Sequence, residues 1–360
     1  MASIDALLNE VITRGASDLH LTSDSPPIVR THGVLERLSA PVMTAEDIEE
    51  MVAEILTDEE IEELKQTTNL DHAYEVTSPK GELLRFRGNI YFQRTGLDAV
   101  FRAIPARIPT LSELGLPGIL AKLTRYHQGL ILATGPSGSG KTSTLAALVH
   151  IINEERSCHI VTIEDPIEYI HINRKSLINQ RQVGLHTRSF QSALRAALRE
   201  DPDVIVVGEL RDLETIRLAI TASETGHLVF GTLQTSTAAK TIDRIIDSFP
   251  SEQQAQIRMM LSESLRGIIA QQLIPIPSGA GRIPAVEIIV GCQPIANLIR
   301  ESKTYQIPSV MQTGKNLGMQ TMDESLMALA VAGKITPFEA YERATEKAPF
   351  DNLIKEPQEK

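Results

Sequence analysis

The 360-residue chain has no tryptophan and only two cysteines, Cys158 and Cys292. Two thiols so far apart in sequence cannot build the paired CxxC modules of a structural zinc site, so no zinc is expected. A pair of buried thiols in a reducing cytosol is expected rather than a disulfide. Aromatics are scarce, six Tyr and eight Phe, which leaves little material for the stacking platforms that hold single-stranded nucleic acid. Basic charge is short as well. With 35 Lys and Arg against 46 Asp and Glu the net charge is −11, so there is no bulk attraction for nucleic acid or an anionic membrane surface. No apolar run approaches the roughly 18 residues that span a bilayer. The opening Met1-Ala2-Ser3-Ile4-Asp5 has neither a basic n-region nor an apolar h-region, so export is not expected.

What is present is ordinary globular composition, 42% hydrophobic and 22% charged, at a length that predicts about two domains. The first hundred residues read as a small α+β unit. Ile4, Leu7, Leu8, Val11 and Ile12 form one helical stripe, with Ser3 as N-cap and Gly15 as stop. Alternation at 18–21 predicts a half-buried strand, and 28–38 predicts extended chain around a turn at His32-Gly33. Thr44 and Thr57 read as helix N-caps, the latter opening the capping box Thr57-Asp58-Glu59-Glu60. Strands over 83–93 and 97–104, joined by Arg94-Thr95-Gly96, make a hairpin.

Pro105, Ile108 and Pro109 break the pattern, and the linker is placed at 106–112, between domains at 1–105 and 113–346. Beyond it, short β-branched runs at 129–133, 159–163, 204–207, 228–231 and 286–290 alternate with amphipathic helices, the pattern of a parallel sheet with helical crossovers. The last third reads as mostly helical, over 253–273, 295–301, 322–331 and 337–343. A loose tail is expected over 347–360.

The chemistry concentrates in a few motifs. Gly135-Pro136-Ser137-Gly138-Ser139-Gly140-Lys141-Thr142 fits GxxxxGK[ST] in full, between a predicted strand and a predicted helix that begins with Thr142 and Ser143. Glycines there let backbone N–H groups close around phosphate oxygens, and a helix N-terminus adds positive potential. Lys141 reaches the β- and γ-phosphates, and the Thr142 hydroxyl is a Mg²⁺ ligand. Val204-Ile205-Val206-Val207-Gly208-Glu209 is a doubly buried strand that delivers Glu209, the second metal-shell candidate, at its carboxyl end. Val161-Thr162-Ile163-Glu164 does the same for Glu164. The residues alone leave the water-activating role open between Glu164 and Glu209. His227 opens another strand, 227–235, that runs on to Gln234 and Thr235. A lone histidine is more often a structural residue than a ligand, but His227 and Gln234 are both carried as candidate nucleotide contacts.

In combination and order these motifs resemble the secretion ATPase (GspE) superfamily, most closely its PilT-type pilus retraction ATPases. The likeness runs from Ala16-Ser17-Asp18-Leu19-His20-Leu21 through the phosphate loop and Ile163-Glu164-Asp165-Pro166-Ile167-Glu168. It continues with Gly208-Glu209-Leu210-Arg211-Asp212 and Gly226-His227-Leu228-Val229, and ends at Gly318-Met319-Gln320-Thr321-Met322-Asp323. The resemblance implies an α/β chain: a PAS-like N-terminal domain, and a RecA-like P-loop ATPase domain with a mostly parallel sheet. It implies a cytoplasmic hexameric ring that hydrolyses Mg-ATP and works against an inner-membrane pilus platform protein in pilus retraction and twitching motility. It makes Glu164 the catalytic glutamate and Glu209 the Walker B acid. It also makes Arg87 and Arg102, on the N-domain hairpin, cations that meet the nucleotide across a cleft. A solvated hairpin face would carry the same arginines.

Two departures stand out. Gln234 replaces a histidine usual in the family, and a glutamine hydrogen-bonds but carries no charge. Pro294-Ile295-Ala296-Asn297-Leu298-Ile299-Arg300-Glu301 lacks an arginine typical of the retraction subgroup. They motivate the alternative of an accessory paralogue with weak hydrolysis, acting with a second retraction ATPase. A pilus-assembly or type II secretion ATPase is the remaining alternative.

Overall fold

A computed structural model describes residues 3–31, 33–79, 81, 83–104, 107–279 and 281–355. The chain divides into two compact units, one ending at Arg107 and the other beginning at Ile108. Pro105 and, of the expected linker, Ala106 lie outside the described residues, as do His32 at the expected turn and 356–360 at the end.

The first unit is α1 (Ile4–Thr13), β1 (Asp18–Leu21), β2 (Ile28–Thr31), β3 (Val34–Arg37), α2 (Ala45–Ala53), α3 (Asp58–Thr67), β4 (Asn69–Thr77), β5 (Leu83–Gln93) and β6 (Gly96–Ile104). Its six strands form one antiparallel sheet in the order β3-β2-β1-β6-β5-β4. Local sequence chemistry sets the helix starts. Thr44 and Thr57 each accept an N3 amide and are answered by Asp47 and Glu60, so both are full capping boxes. Ser3 takes the N-cap position of α1 but its side chain caps nothing. Gly15 ends that helix with φ +65°. The core gathers Leu8, Leu19, Ile48, Phe86 and Phe101 on one side of the sheet.

The second unit begins with a 3-10 segment, Gly118–Arg125, and then builds the larger sheet. Its elements are β7 (Gly129–Thr134), α4 (Lys141–Glu155), β8 (His159–Glu164), β9 (Leu177–Gln182), α5 (Phe190–Ala197), β10 (Val204–Val207), α6 (Leu213–Glu224) and β11 (Leu228–Leu233). They continue with α7 (Ala238–Asp247), α8 (Ser251–Ser264), β12 (Leu265–Pro275), β13 (Arg282–Val290), α9 (Gln293–Arg300), α10 (Ile307–Thr313), α11 (Met322–Val331), α12 (Pro337–Arg343) and α13 (Asp351–Lys355). The order β13-β12-β7-β11-β10-β8-β9 is parallel throughout except for β13. Leu130 and Leu132 of β7 enter one core while Ile131 and Ala133 enter the other. That is period-2 alternation in a strand covered on both faces, which forbids polar side chains along its length and pushes them to its ends. The fold is thus the expected α/β architecture, an antiparallel-sheet unit followed by a mostly parallel one.

The structure corrects three local expectations. The helix expected over 253–273 stops at Ser264, and β12 starts at Leu265. A continuous apolar run does not by itself separate a buried helix from a buried strand. Here Gly267 decides: a Cβ there would come within 3.0 Å of Leu123 and 3.2 Å of the Ile289 carbonyl, so the chain passes close beside both as a strand. The loose tail is not met over 348–355, where a 3-10 turn and α13 place Phe350 in a core with Ile274, Leu326 and Ile335. Cys158 and Cys292 are both free but half-buried rather than buried. Pro294 falls in the first turn of α9, where it costs no helix hydrogen bond.

Phe350 is 1% exposed, so truncating it empties a packed core. Phe350→Ala should lower the unfolding free energy of the chain by about 3 kcal/mol or more, measured by chemical denaturation. A change under about 0.5 kcal/mol would mean that this segment does not pack.

Candidate nucleotide site

The carboxyl edge of the parallel sheet is where the fold allows polar groups to converge. In register, β8, β10, β11 and β7 end together. Val207 pairs with Ile163 and Gly231, and Leu233 pairs with Thr134. A cavity of about 280 Å³ opens there, lined among others by Ser137, Gly138, Lys141, Thr142, Glu164, Glu168, Glu209, Arg211 and Gln234.

Between β7 and α4, Gly135–Gly140 turns sharply, with φ +144° at Gly135 and +87° at Gly140. A Cβ on Gly135 would stand 2.2 Å from the Gln271 carbonyl and 2.6 Å from Ser139 Oγ, so only glycine fits beside β12. Gln271 also accepts the Thr144 hydroxyl at 2.7 Å, pinning the start of α4 to β12. Lys141 Nζ donates to the carbonyls of Gly135 (2.9 Å) and Pro136 (2.8 Å). Burial lowers the lysine pKa, while Glu209 and Glu168 pull it back up. The ammonium is therefore held over the loop and has acidic neighbours.

Glu164 ends β8. Its Oε1 accepts the Thr162 hydroxyl at 2.6 Å and the Gln180 amide at 3.1 Å. Burial raises the carboxyl pKa above the ordinary glutamate value, and these hydrogen bonds, with the Glu168 backbone N–H, hold it down in part. Glu209, just past β10, is clamped from both sides. Gln234 Nε2 donates to its Oε1 at 2.8 Å and Arg211 Nε to its Oε2 at 2.7 Å. Arg211 also reaches to 4.0 Å from Asp165. Ser143 meets the Tyr169 hydroxyl at 2.8 Å, so it braces α4 against the segment after β8.

The donor set suits a triphosphate with a hard cation. The buried Oγ of Ser139 has no hydrogen-bond partner among the described residues, a vacant donor inside a loop of the right shape for phosphate oxygens. Thr142 and Glu209 line the same cavity, offering hydroxyl and carboxylate oxygens of the kind Mg²⁺ takes alongside phosphate and water.

One sequence candidate lies at the other edge of this sheet, and two belong to the first unit. His227 precedes β11 at the opposite edge of the sheet, its carbonyl accepting from Gly129 N–H (3.0 Å) and its Nδ1 facing the Ala222 carbonyl (3.0 Å). The whole length of β11 separates it from the phosphate loop, so within this chain it is a structural residue and not a nucleotide contact. Arg87 and Arg102 belong to the first unit, directly opposite each other on β5 and β6. Arg102 Nε donates to Asp18 Oδ1 at 2.8 Å and Arg87 lies 3.6 Å from Asp71. Their guanidinium-bearing side chains are 71% and 44% exposed. Conversely, Thr162, Gln180, Tyr169, Arg211 and Gln271 serve the site without having been singled out. Thr162 was within reach of sequence reasoning, two residues before Glu164 and so on the same strand face. Gln180 and Gln271 were not, because β9 and β12 were not read as strands.

A strand–glycine loop–helix unit with a lysine over the loop, facing two acids at neighbouring strand ends, defines a P-loop nucleotide-binding protein. The chain belongs to the family of type II/IV secretion system proteins, whose model matches residues 1–325. It is 47% identical over 341 residues to the type IV pilus retraction ATPase PilT of Pseudomonas aeruginosa, covering 95% of this chain and 98% of that one. It is 49% identical over 318 residues to the twitching motility protein of Neisseria gonorrhoeae (88% and 84%), and 36% identical over 351 residues to the type IV pilus ATPase PilU of P. aeruginosa (98% and 91%). A crystal structure of the pilus retraction motor PilT with bound ADP matches with TM-score 0.89 and 44% identity, over 97% of this chain and 99% of that chain. The chain is accordingly an ATP-hydrolysing enzyme of the secretion ATPase class, as its motifs implied.

A base must be ionised to accept a proton, so if Glu164 is the base, activity will be lost as pH falls through its pKa in the folded protein. Because that pKa is raised, the acid limb of kcat/KM for ATP, which reports the free enzyme, should be centred above pH 4.5, the ordinary value. A limb at or below that value would show that Glu164 does not govern turnover.

Proposed function

We propose that this chain is the motor of type IV pilus retraction, using Mg-ATP hydrolysis in a homohexameric ring. The observation that carries it is the single cavity holding Lys141, Thr142, Glu164 and Glu209 in a chain alike over nearly its whole length to PilT. Glycines 135, 138 and 140, with Pro136, Ser137, Ser139 and Ser143, shape the loop that takes the phosphates. Lys141 leaves its own loop carbonyls for the β- and γ-phosphate oxygens. Thr142 and Glu209 would hold Mg²⁺, which would supply charge neutralisation for the phosphates.

Glu164 accepts a proton from water as its oxygen bonds to the γ-phosphorus and the bond to the bridging β,γ-oxygen breaks, releasing ADP and phosphate. Arg87 and Arg102 supply cations toward the phosphoryl group from the PAS-like domain of 1–105. A cation of this kind is worth roughly 10³–10⁵ in rate in GTPases. Two domains joined by a short linker, 106–112, suit rigid-body rotation on hydrolysis and release. In a cytoplasmic ring bound peripherally to the inner membrane, those rotations act on the pilus platform protein and extract pilin subunits. Gln234 holds Glu209 as a neutral donor, so the Walker B acid stays oriented without the histidine's charge.

A second reading, an accessory paralogue with weak hydrolysis, is favoured by Gln234 and by Pro294 at the head of α9. Turnover by the isolated protein separates the two.

Glu164→Gln should bind ATP with unchanged affinity and lose turnover by about 10²-fold or more. Wild-type turnover in that variant rules out the water-activating role. A strain deleted for the gene should be hyper-piliated and immotile; bald cells would mean assembly, and unchanged cells an accessory role.

A further inference from the structure

We infer that Gln180 is a positioning residue for Glu164, aiming its carboxylate and tying that aim to the segment that follows β8. The inference rests on Glu164 as the base, as proposed above. Gln180 lies on β9, the edge strand, in register with Thr162 on β8. Neighbours in register on paired strands project to the same sheet face, so the two side chains stand side by side. Both donate to one atom, Oε1 of Glu164, at 2.6 Å from Thr162 and 3.1 Å from Gln180. A carboxylate held by one oxygen through two donors has its plane and its other oxygen fixed.

The rest of the Gln180 amide is committed as well. Its Nε2 donates to the Tyr169 carbonyl at 2.8 Å, and its Oε1 accepts the His171 N–H at 2.8 Å. With the oxygen engaged by a backbone donor, the NH₂ group has to face Glu164. Gln182, two residues on and on the same face, accepts the Ile167 N–H at 3.2 Å. The segment 167–171 is thus stitched to the edge strand by two glutamines, and one of them also holds the base. Tyr169 in turn meets Ser143 at the head of the phosphate-loop helix. A shift of this segment when nucleotide enters therefore re-aims Glu164 through Gln180, while the strand backbone stays still.

The test compares Gln180→Met, which keeps length and removes every polar contact, with Thr162→Val, which removes the other donor and leaves the 167–171 segment untouched. Each should lower kcat about tenfold or more while the dissociation constant for ATP stays within about twofold of wild type. Added to Glu164→Gln, neither should lower turnover further, because groups that act through one residue are not additive. Wild-type kcat in both variants overturns the inference. So does an equal loss in the Glu164→Gln background, which would be a structural effect. If Glu164→Gln itself turns over normally, the base assignment falls first; if it is dead while both variants are active, only the positioning role falls.

Discussion

Parallel pairing with both faces covered is the constraint on which the site depends. Strands such as β7 and β10 are buried along their whole length, so the cores on either side tolerate only apolar side chains there. Polar chemistry is confined to strand ends, and parallel register brings those ends to one edge. Lys141, Glu164, Glu209 and Gln234 come from four segments far apart in sequence, yet each follows or ends a strand of that edge. The packing that stabilises the sheet is the packing that assembles the cavity.

Within that edge the charges restrain one another. Lys141 rests on two backbone carbonyls and has Glu209 and Glu168 as its acidic neighbours. Glu209 is held by a neutral amide and a guanidinium. Glu164 is held by a hydroxyl and an amide, with no cationic hydrogen-bond partner among the described residues. The contrast separates the acids. Glu209 has a guanidinium partner, whereas burial gives Glu164 a raised proton affinity, the property that the proposed base needs. Glu164 and Glu209, alike in residue type, thus differ in environment.

Much of this was legible in sequence because it is written locally. The phosphate loop, the capping boxes at Thr44 and Thr57, the hairpin over β5 and β6, and helices α11 and α12 follow from short-range patterns of glycine, threonine and hydrophobic period. What was not legible is written in strand neighbours. β12 looks like the continuation of a helix until Gly267 is seen passing Leu123 and the Ile289 carbonyl. β9 is a polar edge strand, Leu177-Ile178-Asn179-Gln180-Arg181-Gln182, without the β-branched run that announces a buried one. With those two strands unread, Gln271 and Gln180 had no visible link to the site. His227 shows the converse error: a residue next to the right strand, but at its wrong end.

The central claim is that Lys141 and Glu164 face a common triphosphate. It is tested most directly by a crystal structure of the protein with Mg²⁺ and a non-hydrolysable ATP analogue. The account predicts that Lys141 Nζ exchanges the Gly135 and Pro136 carbonyls for phosphate oxygens, with the Glu164 carboxylate directed at the terminal phosphoryl group. A complex in which the lysine keeps its loop carbonyls, or the carboxylate turns away from that group, would contradict it.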